Sequence, residues 1–201
     1  MTVHVMPRTS RGFTLIELVV TVTVLAILAA LAAPNFADFM RRNAVESQAN
    51  EFLGALRLAR STAISQNRFV SMCPSRNASA TEPQCEDSND FSVGWIMYTS
   101  PTSGAAYATS DKLVRVAQAV SNVSLLAQNS GKIITFTARG ASPAGALSLF
   151  LCAKRGSGAA GQSTVRATGR RFDIQASGRS GVTPLPSSAD ADQAQAYCKP
   201  T

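Results

Sequence analysis

An α+β fold, with one long N-terminal α-helix packed on an antiparallel β-sheet domain, is the architecture that this 201-residue sequence predicts. Three observations predict it. The run from Leu18 to Ala37 carries no charge, and Phe13 to Ala33 is almost wholly apolar. Beyond it, apolar residues recur at three- and four-residue spacing to about Gln66, which is the period of a helix face. After Asn67 the pattern changes to short alternating stretches separated by Gly, Ser, Pro and Asn, as strands require.

At about 1.5 Å per helical residue, Phe13 to Ala33 is long enough to cross a hydrocarbon core of about 30 Å, so it is expected to be a membrane helix. Pro34 is expected to kink that helix rather than end it, because neighbouring helices can satisfy the freed carbonyl. Phe36, Phe39, Met40, Ala49, Phe52, Leu53, Leu56, Ala59 and Ala63 then form one stripe, with Arg42, Glu46, Glu51, Arg57 and Arg60 largely elsewhere. Such a stripe is expected to be core. Strands are expected over 69–73, 93–99, 113–117, 123–127, 133–137, 147–152 and 171–176, and Pro184 to Gln195 is expected to be a loose tail. The organisation is a leader at 1–12, a transmembrane helix at 13–34, its amphipathic half at 35–67 and an exported β-rich domain at 68–201.

Cys73, Cys85, Cys152 and Cys198 all lie outside the apolar segment, in an even count that suits two disulfides in an oxidising compartment. The one histidine, His4, lies ahead of Gly12, so a chain cut there has no imidazole for acid–base catalysis or metal binding. No enzyme activity, cofactor or metal site is expected. The formal charge of +7 falls to +5 without Arg8 and Arg11. Between Lys132 and Gly181 eight basic residues face Asp173 alone, which suits either a solvated surface or an anionic partner.

The polar-to-apolar junction in Arg11-Gly12-Phe13-Thr14-Leu15-Ile16-Glu17 comes before the apolar run, whereas an ordinary secretory signal is cut after its own. Gly12 to Glu17, followed by the apolar run and Pro34, resembles the N-terminal signal of type IV pilins and pseudopilins. That resemblance implies a prepilin peptidase cutting between Gly12 and Phe13, methylation of the new Phe13 amine, and a docking role for Glu17 in the growing fibre. A carboxylate at membrane depth costs about 2.5 to 3.5 kcal/mol and is usually paired. Glu17 follows Phe13 by four residues, so a Phe13 ammonium on its own or a neighbouring helix could neutralise it. Arg8 and Arg11 on one side of the span balance Arg41 and Arg42 on the other, so orientation rests on the cleavage motif and the cysteines. The resemblance implies a single pass through the bacterial inner membrane with the C-terminal domain periplasmic, then a place in the pilus.

The stretch Leu56-Arg57-Leu58-Ala59-Arg60-Ser61-Thr62-Ala63-Ile64-Ser65-Gln66-Asn67-Arg68, with Met72-Cys73-Pro74-Ser75 and Gly94-Trp95-Ile96-Met97-Tyr98, resembles the GspH/FimT group of minor pilins. A cysteine just after the helix and another near the C-terminus are similar to FimT/FimU-type subunits. The fold implied is pilin-like. Four cysteines allow three connectivities; Cys73 with Cys85 and Cys152 with Cys198 are the pairs expected, because each brackets a loop-rich stretch.

The function expected is that of a minor type IV pilin in pilus assembly or initiation at the fibre tip, partnered by major and minor pilins. A secretion-system pseudopilin of the GspH type shares the same helix and is the alternative. A second function, binding double-stranded DNA for natural transformation, would use Arg166, Arg170, Arg171 and Arg179. DNA-binding FimT proteins carry a C-terminal Gly-Arg-x-Arg, which Gly178-Arg179-Ser180-Gly181 matches at its first three positions with Gly in the last. Gly156-Ser157-Gly158-Ala159-Ala160-Gly161 matches G-x-G-x-x-G, but no helix pattern follows it, so a hairpin loop is expected there instead of a dinucleotide site.

Overall fold

The computed structural model describes residues 12–128, 131–155 and 160–200, and for residues 31–34 the backbone only. All of the expected leader but Gly12, the bend expected at Pro34 and most of the glycine-rich loop at 156–161 lie outside the described side chains. The chain divides into two compact units, Met1–Ala37 and Asp38–Thr201.

Helix α1 spans Leu15–Gln66. In the first unit its apolar side chains from Leu15 to Leu28 are half or more exposed, a contiguous apolar surface of the kind soluble units rarely expose. Thr14 caps the helix, its hydroxyl accepting from the Glu17 amide at 3.3 Å, in the Thr-x-x-Glu spacing of a capping box. Thr21 and Thr23 donate to the carbonyls of Leu18 and Val19 at 2.9 and 2.7 Å. The only hydroxyls of this stretch therefore need no outside partner, as an apolar medium demands.

In the second unit α1 buries Val45, Ala49, Phe52, Leu56, Ala59 and Ala63, following the three- and four-residue spacing, but the stripe expected as core starts later than its pattern does, since Phe36, Phe39 and Met40 are 63%, 47% and 52% exposed. It covers two antiparallel sheets. The first is built in the order β3-β2-β1-β5 from β1 (Phe69–Pro74), β2 (Trp95–Ser100), β3 (Lys112–Ala117) and β5 (Ile134–Phe136). The second runs β4-β6-β8-β9, from β4 (Val123–Ala127), β6 (Leu147–Lys154), β8 (Arg170–Ile174) and β9 (Ser180–Pro184), with the short β7 (Gly161–Gln162) also on β6. Phe52 joins the two. Its ring meets Trp95 of β2 at 6.0 Å, Phe172 of β8 at 5.2 Å and Phe91 at 5.8 Å, all edge-on, each such pair adding about 0.5 to 1.5 kcal/mol beyond its burial.

Each of the seven expected strands is present, but in two sheets rather than one, and two further strands appear. The second expected strand starts late because Asp90 accepts from the Ser92 amide at 2.9 Å and caps a 3-10 turn at Phe91–Val93. The loose tail expected from Pro184 to Gln195 is corrected. Pro184 closes β9, and a short helix, α2 (Ala191–Ala196), follows under an Asp190 cap. This segment buries only Leu185 and Ala194, too little apolar surface to announce itself, and is held from outside. Ser163 donates its amide to the Ala194 carbonyl, and its hydroxyl to that of Pro186.

The structure bonds Cys73 to Cys85 and Cys152 to Cys198, 12 and 46 residues apart. On the chain-entropy model loops of those lengths contribute about 3 and about 4 kcal/mol. The first closes a small second core around Ile96 and Tyr98, where burial pushes the Tyr98 phenol up and its hydroxyl donates to the Ala105 carbonyl at 2.7 Å. The second staples the tail to β6.

Candidate functional site

Two regions carry the residues named from the sequence. Gly12 and Phe13 lie in non-helical backbone just before α1, Phe13 with 84% of its surface exposed, and Glu17 sits in the first turn. Among the described residues no single helix is long and apolar enough to cross a membrane; Leu15–Ala30 and Asn35–Gln66 meet that measure as a pair.

The four arginines named for DNA are not brought into one row. Arg166 lies in the loop before β8 and pairs with Asp38 at 3.2 Å. Arg170 and Arg171 are neighbours on β8 and so point to opposite faces of the sheet. Arg170 reaches back to Glu46 of α1, whereas Arg171 pairs with Asp173 at 2.8 Å. Of the four, Arg179, in the turn entering β9, is the one without a carboxylate partner among the described residues. Of the eight basic residues between Lys132 and Gly181, five hold an acid, Lys132 through Asp87 and Arg155 through Asp38 besides these three. A count along the chain sees the excess charge and misses the acids supplied from α1.

Arg179 has other company. It lines a shallow pocket of about 320 Å³ with Arg57, Arg60 and Ile64 of α1. Arg60 is fixed there by backbone carbonyls distant in sequence. Its Nε donates to the Gly140 carbonyl at 3.0 Å and its guanidinium to that of Ser177 at 3.2 Å. Among the described residues none of Arg57, Arg60 and Arg179 forms an ion pair, so three positive charges share one face. The signal was available as Arg57 and Arg60 at helical spacing three, but nothing local says that Arg179 joins them.

A second cationic cluster surrounds Asp38. Arg41, Arg155 and Arg166 lie 2.8, 3.5 and 3.2 Å from its carboxylate, which is 14% exposed. Burial pushes its pKa up, but hydrogen bonds from Arg166 and Arg41 and the charge of Arg155 outweigh that, holding it below its ordinary value. Three guanidiniums on one carboxylate leave a local surplus of two charges.

Comparison with known proteins follows the same division. The family model described as "Type II transport protein GspH" matches residues 48–178, and that of the prokaryotic N-terminal methylation motif matches residues 7–33. The type IV major pilin protein PilA of Myxococcus xanthus is 47% identical over 60 residues, 30% of this chain and 26% of that protein. A fimbrial protein of Pseudomonas aeruginosa is 38% identical over 63 residues, 31% of this chain and 40% of its own length. The chain thus spans between about a quarter and two-fifths of these curated relatives. The crystal structure of the P. aeruginosa type IV minor pilin FimU superposes with a TM-score of 0.52 at 23% identity, covering 80% of this chain and 99% of that one, and so shares its fold.

Proposed function

Taking as premise that the chain belongs to the GspH family and has the α+β fold of a minor pilin, we propose that it acts in pilus assembly or initiation at the fibre tip. The observation that carries this reading is the first unit of α1, apolar on every side from Leu18 to Leu28 and headed by Glu17. Such a surface must be covered, first by lipid of the inner membrane and then by the like helices of neighbouring pilins. Processing by a prepilin peptidase between Gly12 and Phe13, N-methylation of Phe13 and docking through Glu17 complete the reading, with the C-terminal unit periplasmic until assembly. The family is one of structural proteins, and no catalytic step is assigned. A strain deleted for this chain, scored for pili, transformation and protein secretion, tests the proposal. Loss of pili with normal secretion supports it; the reverse result makes the chain a secretion pseudopilin and overturns it.

A second reading, binding of double-stranded DNA, is favoured by the face formed by Arg57, Arg60 and Arg179. Three guanidiniums without carboxylates can meet successive phosphates, which gives affinity without sequence preference. The expected slope of log K against log salt is about −3, measured by fluorescence anisotropy of a labelled duplex. Arg57→Ala/Arg179→Ala should shrink that slope by about two units, and Arg171→Ala, whose guanidinium is held by Asp173, should barely change it. No binding at low salt removes DNA from the function.

A further inference from the structure

We infer that the free edge of β9 takes up an extended acidic segment of a partner protein as one more antiparallel strand, with the segment's carboxylates against Arg57, Arg60 and Arg179. The inference depends on neither reading proposed above. Sheet edges expose unpaired backbone groups, and proteins blunt them with cover, charge, irregularity or short length. The edge strands β4, β3 and β5 are so blunted. β4 is covered by the loop before β2, Ala127 donating its amide to the Asn89 carbonyl at 2.9 Å and Leu126 bridging to Asp90. β3 carries Lys112 and Arg115 and a register shift against β2 at Met97/Tyr98, and β5 is three residues long and wholly buried. β9 has no charge from Ser180 to Pro184 and is half-buried to exposed along its length.

The phase of β9 against β8 follows from its ends. Gln175 donates its amide to the Arg179 carbonyl at 2.9 Å and Leu185 to that of Gly169 at 3.0 Å. By the alternation of an antiparallel ladder, Gly181 and Thr183 then bond inward to β8, while Ser180 and Val182 turn their amides and carbonyls outward. Among the described residues nothing pairs with those outward groups. Pro184 lies at the next outward position and has no hydrogen to give, so the run ends there. Main-chain bonds of this kind give an added strand its affinity, and its alternate side chains give it specificity. Ser180 and Val182 stand opposite Ile174 and Phe172, whose side chains are buried in the core beneath α1. Residues of an added strand opposite Ser180 and Val182 therefore place their side chains on the α1 side. There Ser180 adjoins the pocket lined by Arg57, Arg60 and Arg179, and no acid lines it. Carboxylates complement that wall. A second copy of β9 fits it less well, because two-fold pairing sets the two arginine clusters against each other. A duplex offers phosphates to the guanidiniums and nothing to the backbone of Ser180 and Val182.

The test titrates the full chain, in neutral detergent at about 0.1 M salt, into a labelled, end-capped peptide of alternating glutamate and valine, followed by fluorescence anisotropy. This peptide should bind, and one of alternating lysine and valine should not. Methylating the glutamate amides removes the hydrogens given to β9 and should weaken binding at least about tenfold, whereas methylating the valine amides, which face away, should change it less than about twofold. That comparison leaves the protein untouched, so misfolding cannot produce it. Arg57→Ala/Arg179→Ala should weaken binding by about tenfold, at about threefold for each exposed charge pair. Absence of binding, equal binding of the lysine peptide, or indifference to methylation of the glutamates would each overturn the inference while leaving the pilus and DNA readings as they stand. A dimer of the chain alone that the peptide has to break, seen by native mass spectrometry, would assign the edge to a second copy and overturn it as well.

Discussion

Gly178→Ala should lower the unfolding midpoint by about 6 to 12 °C, the largest stability loss expected of any single methyl group in this protein. Gly178 sits in the turn between β8 and β9 with φ at +74°, a left-handed conformation that costs a residue with a side chain about 1 to 2 kcal/mol. The added methyl also has nowhere to go. It would overlap the carbonyl oxygen of Gly140, which is backbone and is itself held by Arg60. Gly140 cannot withdraw, because its own α-carbon faces Ile64 so closely that a Cβ there would lie 2.8 Å from the side chain. The turn is pinned from within by Gly178 donating to Gln175 at 2.7 Å, and to the Gly140 loop by Ser142 donating to Ala176 at 2.9 Å. Strain and forced separation together should reach about 3 kcal/mol, at about 2 to 4 °C for each kcal/mol in a chain of this size. Gly104→Ala is the control, since Gly104 has φ at +67° with open space around it. Equal shifts for the two, followed by near-ultraviolet dichroism of the full chain in neutral detergent, would show that the packing of the two loops adds nothing.

Gly12→Val and Glu17→Ala should each abolish fibre incorporation while leaving the Asp38–Thr201 unit folded. Nothing lies within 4 Å of a Cβ built on Gly12, so valine there disturbs no packing and any effect must be on processing. The valine variant should accumulate at its uncut length in the membrane fraction. Glu17→Ala should be cut normally and still be left out of fibres, because it loses the carboxylate that a Phe13 ammonium would otherwise meet in the membrane. An unpaired carboxylate costs about 2.5 to 3.5 kcal/mol near a helix centre and less toward the end where Glu17 sits, so docking that pairs it favours assembly by a factor of up to about 100. Immunoblots of sheared fibres and membranes provide the measurement. Normal incorporation of Glu17→Ala removes its docking role, and a normally cut Gly12→Val places the cleavage site elsewhere.

The parts of the fold that bury a regular stripe were legible in the sequence. Ala49, Phe52, Leu56, Ala59 and Ala63 repeat with helical period because one face of α1 fills the core, and β1, β2 and β4 are buried along nearly their whole length. The parts fixed by partners distant in sequence were not. β9 is an edge strand with Gly181 and Pro184 in it, tolerable because only one of its sides pairs. The candidate sites failed to appear for the same reason. Arg166 meets Asp38 across 128 residues and Arg170 meets Glu46 across 124, and no local pattern announces either. Division of the chain into two sheets was hidden too, since it depends on Phe52 reaching Trp95 and Phe172 from one helix position.

The pairing of each cysteine with its next neighbour along the chain bears on how the protein matures. In the proposed orientation the segment after the membrane helix emerges into the oxidising space in order, Cys73 first and Cys198 last. A chain that bonds each thiol to the next one to arrive reaches the native arrangement directly, so its export calls for an oxidant and makes no demand on an isomerase. Cys152 must wait through 46 residues for its partner, and its bond closes only when the whole domain has been delivered. That bond thereby reports the arrival of both sheets and of the short helix that follows them.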